Sequence, residues 1–312
     1  MKREQVMNSI LLKKRFCKDN NLPIVVYDNP YFYERLCALD ILFDCVDKFE
    51  DFCLELLGYS CEQEYFEYYN NIKNTIISHI KRKDDYIKFN EENFKIDTDI
   101  FKKRNLYVEE NDDKTFISID MKKANFSALS HFSSKIFDNA KTWEEFMGQF
   151  TTSEHIINSK YIRQVILGAC NPKKQIRYEK YLMFGLLQDL IKEIKTLDVF
   201  SLGEDEIILC VKNCDYSLKR LKEIISNTPI GDMVKVTMFN LEKIKGTNGW
   251  LKKIYNFQSD DEIVEFKCLD AETFHQIVKH YYKEPITSDD LVFRHNKKLA
   301  KFLKEEKNPW EE

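Results

Sequence analysis

Three carboxylates stand where short apolar runs end. Asp120 closes "FISID", residues 116–120, and Asp205 with Glu206 interrupts "SLGEDEIILCV", residues 201–211. Both runs have the β-branched and aromatic content of strands. If the two strands are neighbours in one sheet, their acids come within a few ångströms and repel unless a cation lies between them. Hard divalent ions take oxygen ligands, and a pair of them can stabilise both the attacking and the leaving oxygen of a phosphoryl transfer. Mg²⁺, or Mn²⁺ in its place, is therefore the natural cation between Asp120 and Asp205. Taken singly, Asp120 also suits a helix N-cap, and "GEDE" suits a polar hairpin turn.

The elements that must position these acids follow from periodicity. Residues 30–83 contain no proline after Pro30 and one glycine, Gly58, and their apolar residues recur with helical period. The charged, weakly periodic residues 82–106 suggest a linker. Beyond it the pattern predicts a strand at 115–120 and helices at 122–138, 142–150 and 154–169, the last stopped by Asn171-Pro172. A long helix over "QIRYEKYLMFGLLQDLIKEIKTL" then leads into two short strands around the Asp205 turn. A helix at 216–226, a strand at 233–241, an Asn248-Gly249 turn, a strand at 262–269 and a helix at 271–283 complete an α+β chain with a small antiparallel sheet. The expected division is a helical region at 1–106 followed by a domain at 107–312.

Composition bounds the function classes. The chain has 312 residues, 43% of them hydrophobic, enough for a substantial core, and its formal net charge of −4 carries no global sign of a polyanionic partner. Nine cysteines without any CxxC pair read as reduced, packed thiols. The charged start and the lack of an 18-residue apolar run predict a cytoplasmic protein with no membrane partner.

Residues 120–133, "DMKKANFSALSHFS", resemble motif A of the family A (Pol I-like) DNA polymerases, with Asp120, Leu129, His131 and Ser133 in register. "GEDEIIL", residues 203–209, resembles motif C of that family, and the intervening "RQVILGACN" resembles part of motif B, with Arg163 at its lysine and Gly168 at its glycine. The resemblance spans residues 116–211, and the motifs follow the family's order. It implies a polymerase-type palm in which Asp120 and Asp205 hold two Mg²⁺, the Met121 carbonyl adds a ligand, and Glu206 lies near the primer end. It further implies that Lys160 and Arg163 meet the incoming dNTP or NTP on a fingers-like helix. Only 37 positions separate Gly168 from Asp205, so the implied fingers, about 142–180, are reduced. Asn125 replaces the family's acidic residue that helps exclude ribose, which bears on sugar choice.

A primer-template partner also requires cations along the strand. Lys173, Lys174 and Arg177 lie near the motif B stretch, and "KIKGTNGWLKK", residues 243–253, offers Lys245 and an exposed-looking Trp250 for backbone contact and base stacking. Either stretch also suits a plain solvated face or a hairpin tip. His131 is expected to pack on the motif A helix, and His275 and His280 carry no role. The expected function is template-dependent nucleotidyl transfer, with accessory protein subunits as further partners. Richness in Lys, Asn and Ile suggests an AT-rich phage or mobile-element source. Two other readings stay open: a non-catalytic palm that binds nucleic acid, and a GGDEF-like nucleotidyl cyclase, whose two acidic motifs lie closer together.

Overall fold

The computed structural model describes residues 1–96, 103–211, 218–255 and 262–303. In chain order the helices and strands are α1 (Arg3–Asn8), α2 (Ile10–Asp19), α3 (Tyr31–Phe43), α4 (Cys45–Leu56), α5 (Glu62–Lys81), α6 (Asp84–Glu91), β1 (Thr115–Met121), α7 (Ala124–Phe132), α8 (Trp143–Met147), α9 (Glu154–Asn158), α10 (Lys160–Gly168) and α11 (Pro172–Glu193). They continue with β2 (Val199–Leu202), β3 (Glu206–Cys210), α12 (Leu218–Ser226), β4 (Val234–Lys243), β5 (Trp250–Tyr255), β6 (Glu262–Lys267), α13 (Phe274–Tyr281), β7 (Val292–His295) and β8 (Lys298–Lys301). The chain is mixed α+β, as its periodicities predict.

Two compact units interleave along the sequence. One comprises Met1–Asn74, Phe150–Arg163 and Asp270–Glu312; the other comprises Thr75–Gln149 and Gln164–Leu269. Two of the four boundaries fall inside α5 and α10, whereas the division expected at 106/107 lies within the second unit.

The first unit is helical apart from the β7-β8 hairpin, and its core is aromatic: Phe16, Phe32, Phe49, Phe52 and Tyr65 are all buried. Two buried acids organise its polar interior. Asp19 accepts hydrogen bonds from Tyr69 Oη (2.9 Å) and Ser159 Oγ (2.8 Å) and lies 3.0 Å from His155 Nε2. Ser159 also accepts from the Ile162 amide at 3.0 Å. That cap, with Ser159 in an extended conformation, is why the helix expected over 154–169 is two helices, α9 and α10. Near the chain's end, Asp290 pairs with Lys279 (2.8 Å) and Arg35 (3.7 Å), while His275 Nε2 meets the Asp290 carbonyl at 2.9 Å. Burial first, then the nearby Arg35, pushes the His275 pKa down to about 4, so the ring is a neutral structural group.

The second unit holds a six-stranded antiparallel sheet in the order β2-β3-β1-β4-β5-β6. Alternation along β1 and β3 separates two faces. Ile117, Ile119, Ile207 and Leu209 share one and are buried. Alpha-helix α11 packs on β3 and on α7. Phe116, Ser118 and Asp120 share the other face with Glu206 and Ile208. There a cluster of Leu106, Phe116, Ile208, Phe239, Leu241, Trp250 and Ile254 fills one end. Trp250 is 1% exposed and begins β5, paired with Lys243 and Lys267. This corrects the expectation of an exposed stacking residue, because the strand that Trp250 opens turns its side chain into this core. The turn expected at Asn248-Gly249 falls instead at Ile244–Thr247, where the Thr247 amide donates to the Ile244 carbonyl at 3.2 Å and Gly246 has a φ of +75°; Gly249 is required by close approach, since a Cβ there would meet Leu269 Cδ2 at 2.1 Å.

Several boundaries move for local reasons. The helix expected at 122–138 stops at Phe132, where Ser133 is extended, and a single 3₁₀ turn follows over Ser134–Phe137. Asn171 and Pro172 begin a helix as well as ending one: the Asn171 side chain caps α11 and Pro172 occupies its first turn. A helix, α6, forms inside the stretch read as a linker. Residues 97–102 of that stretch, and the first two positions of the helix expected at 216–226, lie outside the described residues.

Candidate active site

Strand β3 lies beside β1, which is the adjacency that a paired-carboxylate site requires. The register is decisive: Asp120 is directly opposite Glu206, and on its other side opposite Lys235. Directly opposed residues on antiparallel strands have Cβ atoms about 4.5–5.5 Å apart, and like charges there destabilise the pair. Asp205 stands one residue earlier, in the turn, where its carbonyl accepts the Met121 amide at 2.8 Å. The main chains of the two acidic segments are thereby pinned together. Asp120 is the penultimate residue of β1, and the N-cap of α7 is Lys123, so the helix-capping role does not apply.

Solvent reaches the Asp120 carboxylate, yet the surrounding protein displaces enough water to shift it. Burial first, then Glu206 and Asp205, raises its pKa to about 6, against a smaller opposing pull from Lys252 and Lys235. Glu206 is steadied by Ser118, whose hydroxyl donates to Oε1 at 2.6 Å. Ser118 is two residues before Asp120 on the same face, so a short polar residue in a strand otherwise rich in Phe and Ile has a use.

A fourth acid, Glu179, escaped the sequence reading. It lies on α11, is 6% exposed, and has its pKa raised to about 7 by burial first, then by Asp205 and Glu204. The signal was present: Gln175, Tyr178, Glu179, Leu182, Met183 and Leu186 recur on the buried stripe of α11, and an acid on such a stripe is anomalous. Lys180, next along the helix, and Lys103 each approach Glu204 at 3.5 Å and tie the hairpin tip to its surroundings. Asp205 thus acts on both Glu179 and Asp120.

Glu179→Gln is expected to stabilise the protein at pH 8. The folded pKa is raised above its ordinary 4.5, so the ionised form is disfavoured in the fold. Stability from this group is complete below pH 4.5 and is lost as pH rises through 7. The glutamine variant should gain about 1–3 kcal/mol at pH 8 and little at pH 4, read from urea unfolding at both pH values. Equal stability of the two proteins at pH 8 would show that Glu179 is not desolvated.

The cation question rests on the donor set. Among the described residues, no three His, Cys, Asp or Glu side chains converge as a preformed metal cage. The acids brought together here offer carboxylate oxygens, which suit Mg²⁺ or Mn²⁺. Mg²⁺ characteristically uses one or two carboxylates and completes its shell with water and substrate phosphates. Asp120 and Asp205 fit that pattern, and the electrostatic strain on Asp120 is of the kind a cation relieves.

The other expected site residues are placed as follows. Met121 is buried, and the Asn125 side-chain oxygen accepts the Phe126 amide at 3.0 Å in the first turn of α7. Lys173 and Arg177 are exposed on α11, whereas Lys174 is spent on the Asn90 carbonyl (3.2 Å) and on the Phe94 ring, 5.4 Å from its centroid. Lys245 is exposed at the β4-β5 turn. Exposed Lys160 and half-buried Arg163 belong to the first unit. His131 is hydrogen-bonded through Nδ1 to Tyr178 Oη at 2.9 Å, in keeping with a packing role, and burial lowers its pKa. No described helix is long and apolar enough to cross a membrane. No protein-family model matches the chain, and no curated protein matches it in sequence.

Proposed function

We propose that this protein is a template-directed nucleotidyltransferase, a palm-type polymerase of the kind its motifs resemble. The single observation that carries the reading is the register that sets Asp120 opposite Glu206, with Asp205 adjacent, at the exposed end of one sheet face. Burial and like charge at Asp120 oppose that arrangement more than the nearby Lys252 and Lys235 favour it.

In this reading Asp120 and Asp205 hold the cations, Glu206 is kept in place by Ser118, and Glu179 backs Asp205 from α11. Bound divalent ions would lower the pKa of the attacking hydroxyl and neutralise charge on the transferring phosphate. Asp120 and Asp205 fix where that phosphate sits, while β1 and β3 supply rigid supports. Asn125, neutral and able to donate and accept hydrogen bonds, leaves room for ribose as well as deoxyribose.

The test is extension of labelled primers on DNA and RNA templates with dNTPs or NTPs and Mg²⁺ or Mn²⁺. Template-dependent elongation is the expected result. Formation of cyclic or linear dinucleotides without a primer would replace this reading with a cyclase, and template binding without incorporation under either metal would replace it with a non-catalytic palm.

A further inference from the structure

The sheet face bearing Asp120 changes character along β4 and β5. At one end Phe239, Leu241, Trp250 and Ile254 close over Phe116 and Ile208. At the other, Lys235 is opposite Asp120 and Thr237 is opposite Ser118. Lys252 shares this face through its pairing with Leu241, and its ammonium lies 4.4 Å from the Phe239 ring centroid. The ammonium thus sits against the Phe239 ring in a cation–π contact, on a half-buried side chain.

Both lysines are near enough to Asp120 to favour its ionised form, and both act on Glu265 in the same way. Neither closes a salt bridge with another described residue. The same unit makes tight pairs elsewhere, Lys123 with Glu144 and Lys253 with Glu242, each at 2.5 Å. Glu265 itself takes Lys267 at 2.9 Å. Two ammonium groups beside an acidic site, close to the acids yet unpaired with them, are placed to bind a separate anion.

We propose that Lys235 and Lys252 bind phosphate groups of the substrate whose reacting end lies at Asp120. This rests on the reading of the acidic site as a nucleotidyl-transfer centre. Lysine suits the task as a compact charge with three donors that grips phosphate without reading a base. The phosphates belong either to the backbone of a nucleic-acid strand or to the triphosphate of a nucleotide. The two lysines extend from adjacent strands but six residues out of register, since Lys252 is opposite Leu241, so their backbones stand about 20 Å apart along the sheet, a spread that suits separate phosphates along a strand.

The experiment uses the full chain with Lys235→Met, Lys252→Met and the double variant, which keep the aliphatic stems, and with Lys235→Arg and Lys252→Arg, which keep the charge. One arm measures anisotropy of labelled single-stranded DNA and RNA oligonucleotides across a salt series; the other measures binding of dATP and ATP with Mg²⁺. Each methionine variant should weaken binding in one arm by about three- to tenfold, with the salt slope reduced by about one per lysine, while the arginine variants bind as the parent does. Loss in the oligonucleotide arm assigns the lysines to a strand, and loss in the nucleotide arm assigns them to the triphosphate. Unchanged binding in both arms by the double variant, or no binding by the parent in either, overturns the proposal. Asp120→Asn is measured alongside for turnover. A parent that transfers no nucleotide but binds in a lysine-dependent way would remove the catalytic reading and leave the phosphate assignment standing.

Discussion

Asp120→Asn should reduce nucleotide transfer by about a thousandfold or more while leaving the fold intact or slightly stabilised. The loss follows from the removal of one of the two carboxylates assigned to the cations, because electrostatic stabilisation at the reacting phosphate supplies a large part of such catalysis. The stability gain follows from linkage. Asp120 has its pKa raised from 3.8 to about 6, so its ionised form opposes folding above pH 6 and the opposition vanishes below 3.8. Without divalent cation, the variant's melting temperature should equal or exceed the parent's at pH 7.5, and the two should converge near pH 3.5. Asp205→Asn should abolish transfer to a similar degree. Near-parental activity in either variant would remove the acids from the reaction, and a lower melting temperature at pH 7.5 for Asp120→Asn would show that its carboxylate has a structural partner.

Trp250→Ala should destabilise the second unit by about 3–5 kcal/mol, the range for truncating a buried large aromatic. The ring is 1% exposed, packs among Phe116, Ile208, Phe239, Leu241 and Ile254, and lies 4.9 Å from the Lys243 ammonium. Truncation would open a cavity on the face that carries Asp120, at the far end of β4 from Lys235, the residue opposite Asp120. Urea unfolding measures the loss, and Trp250→Phe should recover much of it. A base-stacking role makes the opposite forecast: stability unchanged, oligonucleotide affinity reduced. Those two outcomes separate a core residue from a nucleic-acid contact.

Local signals set the helices and strands and put an acid at the end of one strand and two more at a hairpin. The β-branched and aromatic content of "FISID", the "GEDE" turn and the helical period over residues 175–197 needed no tertiary information. Register did. Pairing β1 with β3 joins residues about 90 positions apart, and it set Glu206, rather than Asp205, across from Asp120. A one-residue shift exchanges the faces of a strand, so local composition leaves that choice open. Burial was equally non-local: Trp250 beside an Asn-Gly turn reads as exposed until β4, β5 and residues 106–107 close around it. The same holds for Glu179, whose carboxyl is perturbed by acids 25 and 26 positions away that only packing of α11 on β3 brings near. Sequence determined which residues could do chemistry. The sheet order, the register and the packing of α11 decided which of them share a site, because charge and desolvation act through space and depend on neighbours the chain supplies only when folded.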